Sequence, residues 1–361
     1  MLLILSGAAW AGSDDEVRIN QIQMIGTHNS YHAGLPPGIA QMLAAKDPGL
    51  LRGLEYSHPS LTEQLSSGIR QMELDIYPDP EGGRFTHPMG PRWAGEAGFP
   101  ADPSPYEEGV MRAPGFKVLH MQDVDYVSVC QPFRACLEEV RSWSESHPNH
   151  LPLFLLIETK YSAGTWRWES GTSDPFTGET LDRLDEEIRS VFSETRLITP
   201  DKVRGDYPTL EQAVREKGWP TLASARGKIV FLLDQKNVSA PYLAKHPALR
   251  GRVLFTNADP GSADAAFVER NEASASEIAD LVRQGYLVRT RTDWNTVQAR
   301  ANDTARRDEA MASGAQIVST DYPPAEPAGW TGYRVVFEGE KTVRCNPVLI
   351  SAECRNHPPE P

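Results

Sequence analysis

Positive charge is scarce in this sequence. Its 36 lysine and arginine residues are outnumbered by 49 aspartate and glutamate residues, so the formal net charge is −13. A surface of this sign argues against binding to nucleic acid and against electrostatic adhesion to anionic membranes. Beyond the N-terminus, no apolar run is long enough to cross a bilayer. The 361 residues, 40% of them hydrophobic, suffice for a large core in one barrel-type domain or two smaller ones.

Cysteine is also scarce. The four cysteines form two local groups, Cys130 with Cys136 and Cys345 with Cys354. Neither spacing is that of a zinc site, and no histidine stands beside either group at ligand spacing. Four cysteines allow three pairings, of which the pairing of neighbours is the simplest in an oxidising compartment. The sequence therefore predicts two short-range disulfides.

The N-terminal residues 1–11 form a short apolar stretch that ends in Ala9-Trp10-Ala11. An apolar segment closed by small residues is typical of the end of a secretory signal peptide, although the usual basic start is missing. The alternative is a frayed hydrophobic tail. Taken with the cysteines, this segment predicts a secreted or periplasmic protein.

The order of apolar runs predicts an α/β fold. Eight strand-like runs lie at 21–26, 71–77, 117–121, 153–158, 228–234, 253–256, 286–290 and 316–319. Helical patterns lie at 133–146, 181–192, 210–217, 276–284 and 297–313. Mostly continuous apolar strands alternating with amphipathic helices indicate a parallel sheet covered by helices. Eight such units favour an irregular TIM-type (β/α)8 barrel.

Three segments fall outside the repeating pattern. Residues 78–115 are rich in proline and glycine and predict a long loop on the catalytic face, and residues 161–178 predict a second irregular region. Residues 12–322 would then form the catalytic barrel. The tail 323–361, with a strand-like run at 333–337, would be a C-terminal appendage packed on it.

Polar residues stand at the ends of the first four predicted strands, where the reactive groups of such barrels converge. They are His28 and Asn29 after the first strand, Glu73 and Asp75 late in the second, His120 ending the third and Glu158 ending the fourth. Glu73 and Asp75 are two residues apart and therefore share one face of their strand. Oxygen ligands of this kind suit a hard cation, calcium or magnesium, rather than zinc.

These motifs resemble phosphoinositide-specific phospholipase C, and the whole chain is similar to its secreted, calcium-dependent bacterial branch. The resemblance implies that calcium is the cofactor and that its ligands are Asn29, Glu73, Asp75 and Glu158. It also implies that His28 and His120 flank the phosphate. The expected nucleophile is the inositol hydroxyl of a phosphatidylinositol-like substrate, which would give a cyclic inositol phosphate and a diacylglycerol-type product.

The second histidine has a rival. In the better-known eukaryotic pattern it follows the Glu-Leu-Asp triplet closely, and here the first histidine after Asp75 is His87, inside the proline- and glycine-rich loop. We favour His120, because the apolar residues before it provide a strand and a rigid element holds a catalytic group better than a loop. His32 is interpreted as a supporting residue.

Basic residues to bind phosphate or ring hydroxyls are expected on later strands. Lys160, Lys236 and Arg291 are the candidates, although each one taken alone is better explained as ordinary surface charge. Asp123 and Asp125, just after His120, are candidates for orienting it. Asp321 closes the last predicted strand, and the sequence suggests no role for it.

Two other functions fit part of the pattern. A barrel similar to glycerophosphodiester phosphodiesterase or sphingomyelinase D also uses two histidines and a Glu-x-Asp metal pair, but it prefers magnesium and cleaves a different bond. A secreted binding protein on an inactive barrel is the non-enzymatic alternative, and the presence of all six candidate residues counts against it. As a phospholipase, the chain is expected to be a monomer that touches membranes transiently.

Overall fold

The computed structural model describes residues 14–100, 102, 109–349, 351, 352 and 354. Its centre is one sheet whose main path consists of eight parallel strands, which confirms the predicted barrel. These strands are β1 (Ile22–Thr27), β2 (Gln71–Asp79), β4 (Leu153–Thr159), β5 (Ile229–Leu233), β6 (Leu254–Thr256), β7 (Phe267–Glu269), β8 (Leu287–Arg291) and β9 (Ile317–Thr320). Two further strands, β3 (Gly115–Val118) and β10 (Val343–Cys345), attach to β2 and β1.

The strand order around the barrel is β6-β5-β4-β2-β1-β9-β8-β7. One parallel bridge between Asn257 and Phe267 joins the two ends, so the barrel is nearly closed. The strands are apolar because both of their faces are covered: the five residues from Leu153 to Ile157 are all fully buried. The first strand, β1, lies between β2 and β9, and the polar ends of these three strands meet.

Helices cover the outside of the barrel. They are α1 (Pro37–Lys46), α2 (Pro48–Leu54), α3 (Leu61–Ser66), α4 (Gly90–Glu96), α5 (Phe133–Ser146), α6 (Gly178–Val191), α7 (Pro200–Arg204), α8 (Leu210–Glu216), α9 (Leu222–Ala225), α10 (Ser239–Leu243), α11 (Ala275–Arg283), α12 (Val297–Ala301) and α13 (Ala305–Ala312). Several begin at a side-chain cap, as in α11, where Ser274 and Glu277 form a reciprocal capping box. Among the described residues, no helix is long and apolar enough to span a membrane.

The prediction for residues 117–121 was wrong in one respect. This segment does contain a strand, β3, but it pairs antiparallel with β2 and is not one of the barrel strands. After β2 the chain passes through the long loop that contains α4 and then runs back along β2 in the opposite direction. The missing barrel strand is β7, a three-residue element that the sequence pattern did not reveal.

The C-terminal tail joins the barrel through β10, which pairs antiparallel with β1. The strand predicted at 333–337 is absent from the described structure, and residues 343–345 form it instead. Both predicted disulfides, Cys130–Cys136 and Cys345–Cys354, are confirmed. The expected signal-peptide segment 1–11 lies outside the described residues.

Candidate active site

His28 follows β1 directly, and its backbone N–H donates to the carbonyl of Thr320 on β9. Its Nδ1 lies 2.7 Å from Oδ1 of Asp321, and its Nε2 lies 3.7 Å from Oε1 of Glu73. Burial lowers the pKa of His28 well below its usual value, and the charges of Arg291 and Arg289 lower it further. A neutral imidazole that donates from Nδ1 to Asp321 keeps a free lone pair on Nε2, so His28 has the form of a general base.

His120 stands two residues beyond the end of β3, in a tight turn that is closed by hydrogen bonds between Met121 and Asp125. Its Nδ1 lies 2.7 Å from Oδ2 of Asp125. Burial lowers the pKa of His120, and the charge of Lys160 contributes in the same direction. The two candidate histidines are therefore built alike, since a carboxylate holds Nδ1 of each ring and leaves Nε2 free for chemistry.

Asp125 serves two histidines at once. Its Oδ1 lies 2.8 Å from Nε2 of His32, which is fully buried. Burial alone would raise the pKa of Asp125, but the charge of His32 and the hydrogen bonds from both rings lower it below its ordinary value. The ring of His32 packs 4.5 Å from that of Tyr56, whose hydroxyl accepts a 2.8 Å hydrogen bond from Nδ2 of Asn29. A continuous chain of contacts thus connects His120 with Asn29.

Three carboxylates lie between the histidines. Glu73, Asp75 and Glu158 each offer an oxygen, and these oxygens all lie within 4.8 Å of one another. The strand register creates this cluster, because Asp75 on β2 is directly opposite Glu158 on β4. Burial, and then the charge of Glu158, raise the pKa of Asp75 well above its usual value, and the charge of Lys160 opposes this rise without cancelling it.

Unpaired oxygens show that this cluster fits a hard cation. Oδ1 of Asp75 and Oδ1 of Asn29 are buried without a hydrogen-bond donor, while Oδ2 of Asp75 is paired with the ammonium group of Lys160 at 3.2 Å. Asn29 adopts the left-handed backbone conformation with φ +46°, which asparagine tolerates better than most residues. Buried oxygen acceptors without donors are costly unless something binds them, and several convergent oxygens are the ligand set that calcium takes. Glu73, Asp75 and Glu158 could therefore hold a calcium ion, with the unpaired Oδ1 of Asn29 as the fourth expected ligand.

The three predicted substrate-binding cations differ in position. Nζ of Lys160 lies 3.2 Å from Asp75 and 3.0 Å from Glu158, inside the cluster. Arg291 is buried, with Nη2 placed 3.2 Å from Asp321. Lys236 lies apart from both, in a surface ion pair with Asp259. The structure thus brings two of the three to the candidate site.

Sequence reasoning missed the roles of two residues of this site, Arg289 and Asp321. Arg289 donates to Glu73 over 2.6 Å and to Glu269 over 2.8 Å, and Asp321 holds His28. The sequence signal that could have revealed Arg289 was its position two residues before Arg291, on the same face of the strand.

His87, the rival of His120, is exposed in its loop and lies outside this network.

A cleft of about 700 Å³ reaches the candidate site at Asp321, the partner of His28. Tyr56, His58, Asp321 and Trp330 are among its lining residues. His58 fixes the wall of the cleft, since its Nδ1 lies 2.6 Å from Glu326 and its Nε2 lies 3.0 Å from the carbonyl of His28. The open space of the cleft therefore lies next to Asp321, which holds His28.

Solved structures share this architecture. A calcium-dependent phosphoinositol-specific phospholipase C from a Pseudomonas species, in its apo form, has 15% identity over 92% of this chain and 97% of its own, with a TM-score of 0.56. A Ca2+-dependent phosphatidylinositol-specific phospholipase C from Streptomyces antibioticus has 19% identity over 84% of this chain and 95% of its own, with a TM-score of 0.53. At this identity the likeness establishes the fold alone.

The sequence itself gives the family. No curated protein matches the chain. The sequence model of the family described as "Phosphoinositide phospholipase C, Ca2+-dependent" matches residues 17–347, which include the carboxylate cluster and both histidines. The chain belongs to the calcium-dependent phosphoinositide phospholipase C family.

Proposed function

We propose that His28 and His120 cleave the phosphodiester of a phosphatidylinositol-like lipid, with calcium held by Asn29, Glu73, Asp75 and Glu158. The observation that carries this proposal is the placement of the carboxylate cluster with two histidines, each backed by its own aspartate. Such a bound calcium ion would neutralise phosphate charge and make a coordinated hydroxyl more acidic.

The residues divide the proton transfers between them. Nε2 of neutral His28 accepts the proton of the inositol hydroxyl as its oxygen attacks phosphorus, and Asp321 stabilises the imidazolium that forms. His120, protonated at Nε2 beside the anionic phosphate, donates that proton to the departing glycerol oxygen. One phosphorus–oxygen bond forms and one breaks, so the products are a cyclic inositol phosphate and diacylglycerol.

Arg291 and Lys160 are the proposed phosphate- and headgroup-binding cations, and the cleft beside Asp321 is proposed to receive the headgroup. Both side chains are already held by carboxylates, so substrate binding would exchange one anionic partner for another. Lys236, in its surface pair with Asp259, is proposed only as an outer contact for the substrate.

Transient membrane contact is proposed at the same end of the barrel. The large hydrophobic residues that are exposed in the described structure all follow the ends of strands β4, β8 or β9. They are Tyr161 (61% exposed), Trp166 (38%), Trp294 (43%), Val297 (59%) and Trp330 (47%). Because β4 and β8 lie on opposite sides of β1, these residues flank the site. Apolar and aromatic groups suit the membrane interface, and they require no positive surface charge.

Two surface substitutions test the membrane contact. Tyr161→Ser combined with Val297→Ser should weaken binding to phosphatidylinositol vesicles and slow their hydrolysis. Hydrolysis of a soluble inositol phosphodiester should stay unchanged, since neither side chain lies in the catalytic network. Equal activity on vesicles would contradict the proposed contact. The two disulfides further support action in an oxidising compartment, secreted or periplasmic.

Product analysis tests the reaction. The protein is incubated with phosphatidylinositol, with calcium or with chelator, and the products are identified by phosphorus NMR. A cyclic inositol phosphate that forms only with calcium would support the proposal. Phosphate left on the lipid, as in a sphingomyelinase D type of cleavage, would contradict it.

A further inference from the structure

Lys160 occupies an unusual place for a residue expected to bind substrate. It follows Glu158 by two residues at the end of β4, and its ammonium group bridges Glu158 Oε1 and Asp75 Oδ2, at 3.0 and 3.2 Å. Both partners belong to the carboxylate cluster proposed to hold calcium. The side chain of Lys160 is 19% exposed, so part of it is open to solvent.

We propose that Lys160 is an internal cation that competes with calcium for Asp75 and Glu158 and thereby sets the affinity of the site. This inference rests on the proposed calcium site. Calcium binds carboxylate oxygens at about 2.3–2.6 Å, often with both oxygens of one carboxylate. With Lys160 in place, one oxygen of each carboxylate is engaged, and the ammonium charge would stand next to the divalent ion. The two cations repel each other, so calcium binding must weaken or displace the lysine contacts.

The backbone, and not Lys160, brings the carboxylate residues together. Asp75 and Glu158 face each other because of the backbone register between β2 and β4. The third carboxylate, Glu73, is held by Arg289 at 2.6 Å. Removing the ammonium group therefore removes a competitor and leaves the backbone positions of the ligands unchanged.

Displacement is also physically accessible. Lysine carries its charge on a flexible four-carbon stem that can turn toward solvent, unlike the planar and deeply buried guanidinium of Arg289. Once released, the ammonium stays tethered two residues from Glu158. There it is available to the phosphate of the substrate, so calcium binding would free a phosphate ligand.

Calcium titration by calorimetry tests the inference without measuring activity. The unmodified protein is compared with Lys160→Met and with the matched control Lys228→Met, which removes the same charge before β5, at the opposite end of the barrel. We expect Lys160→Met to bind calcium about tenfold more tightly or better, because a unit positive charge has been removed beside the ion. Lys228→Met should bind calcium like the unmodified protein.

Thermal unfolding provides a second readout. In chelator, Lys160→Met should melt below the unmodified protein, because its clustered carboxylates have lost a counter-charge, and saturating calcium should raise its melting temperature by more. If Lys160→Met does not fold, Lys160→Gln, which keeps a polar end, is measured in its place.

The outcomes separate this inference from the proposed function. Equal or weaker calcium binding by the Lys160 variant, in a protein that otherwise binds calcium, overturns the competition and leaves the calcium site standing. Absence of calcium binding in the unmodified protein overturns the proposed site and the inference with it.

Discussion

Asp321→Asn tests the proposed base most sharply, because it removes one charge while keeping the size of the side chain. Asp321 Oδ1 lies 2.7 Å from Nδ1 of His28, and its other oxygen lies 3.2 Å from Arg291. The new amide can present either its oxygen or its NH2 group to the ring. In the second orientation Nδ1 must become the acceptor, the proton moves to Nε2, and the lone pair that accepts the substrate proton is lost.

The size of the effect follows from the two contacts. We expect kcat to fall by roughly 10²- to 10⁴-fold, the range for loss of a general base, since the imidazolium also loses its counter-charge. Arg291 keeps a second carboxylate, Asp293, at 3.7 Å. The fold should therefore survive, with a loss of about 1–3 kcal/mol in the free energy of unfolding.

Asp185→Asn is the matched control. Like Asp321, Asp185 is a buried carboxylate with an arginine partner. It contacts Tyr242 at 2.7 Å and Arg252 at 3.3 Å, but it lies on α6. Steady-state kinetics at saturating calcium and unfolding by denaturant are measured for both variants. The control should lose stability without losing kcat. A kcat of Asp321→Asn close to that of the unmodified enzyme would refute the assignment of His28 and Asp321.

Two further predictions concern histidines. His28→Ala and His120→Ala should each reduce turnover by roughly 10²- to 10⁴-fold and still bind calcium, and the double variant should be little worse than either, because both histidines act on one phosphate. His87→Ala should reduce turnover only slightly. Loss of turnover in His87→Ala with turnover retained in His120→Ala would contradict the choice of His120. His150, held between Ser144 and the carbonyl of Leu151, has its pKa lowered to about 4 by burial. The unfolded chain therefore binds more protons below pH 6.5, and the free energy of unfolding should fall by about 1–2 kcal/mol from pH 7 to pH 5 through this group. Denaturant unfolding of His150→Gln should show a smaller loss, and an unchanged pH dependence would contradict the assignment.

Local pattern predicted much of the fold. The amphipathic run 133–146 became α5 with the same bounds, and continuous apolar runs became β2, β4 and β5. The failures arose where local pattern carries little information. β7 is only three residues long, too short to show a period. The single helix expected at 297–313 is divided into α12 and α13 after Asn302, which adopts a left-handed conformation with φ +50°.

The direction of β3 could not be predicted for a different reason. Its sequence is that of a strand in either orientation, and the partner strand decides between them. The consequence for the site is that His120 stands on a turn beyond a hairpin-like strand and not on a barrel strand, although the hairpin still delivers it to the same face.

The sequence predicted those residues of the candidate site that stand at the ends of neighbouring barrel strands. His28, Asn29, Glu73, Asp75 and Glu158 lie on neighbouring strands, so a barrel topology suffices to bring them together. Asp321 is 293 residues away from His28, and Arg289 is 216 residues away from Glu73. Their roles depend on rotamers and packing across the barrel, which no local pattern records.

The central claim is that this carboxylate cluster is the calcium site of a calcium-dependent phospholipase C. Calorimetric titration of Asp75→Asn tests it most directly, because Asp75 is fully buried and belongs to the carboxylate cluster. The unmodified protein should bind one calcium ion per chain at this site. Asp75→Asn should bind calcium on the order of 10²-fold more weakly, because the loss of a charged ligand costs about 3 kcal/mol of binding free energy. His28→Ala should bind calcium as the unmodified protein does. Unchanged calcium affinity in Asp75→Asn would contradict the account.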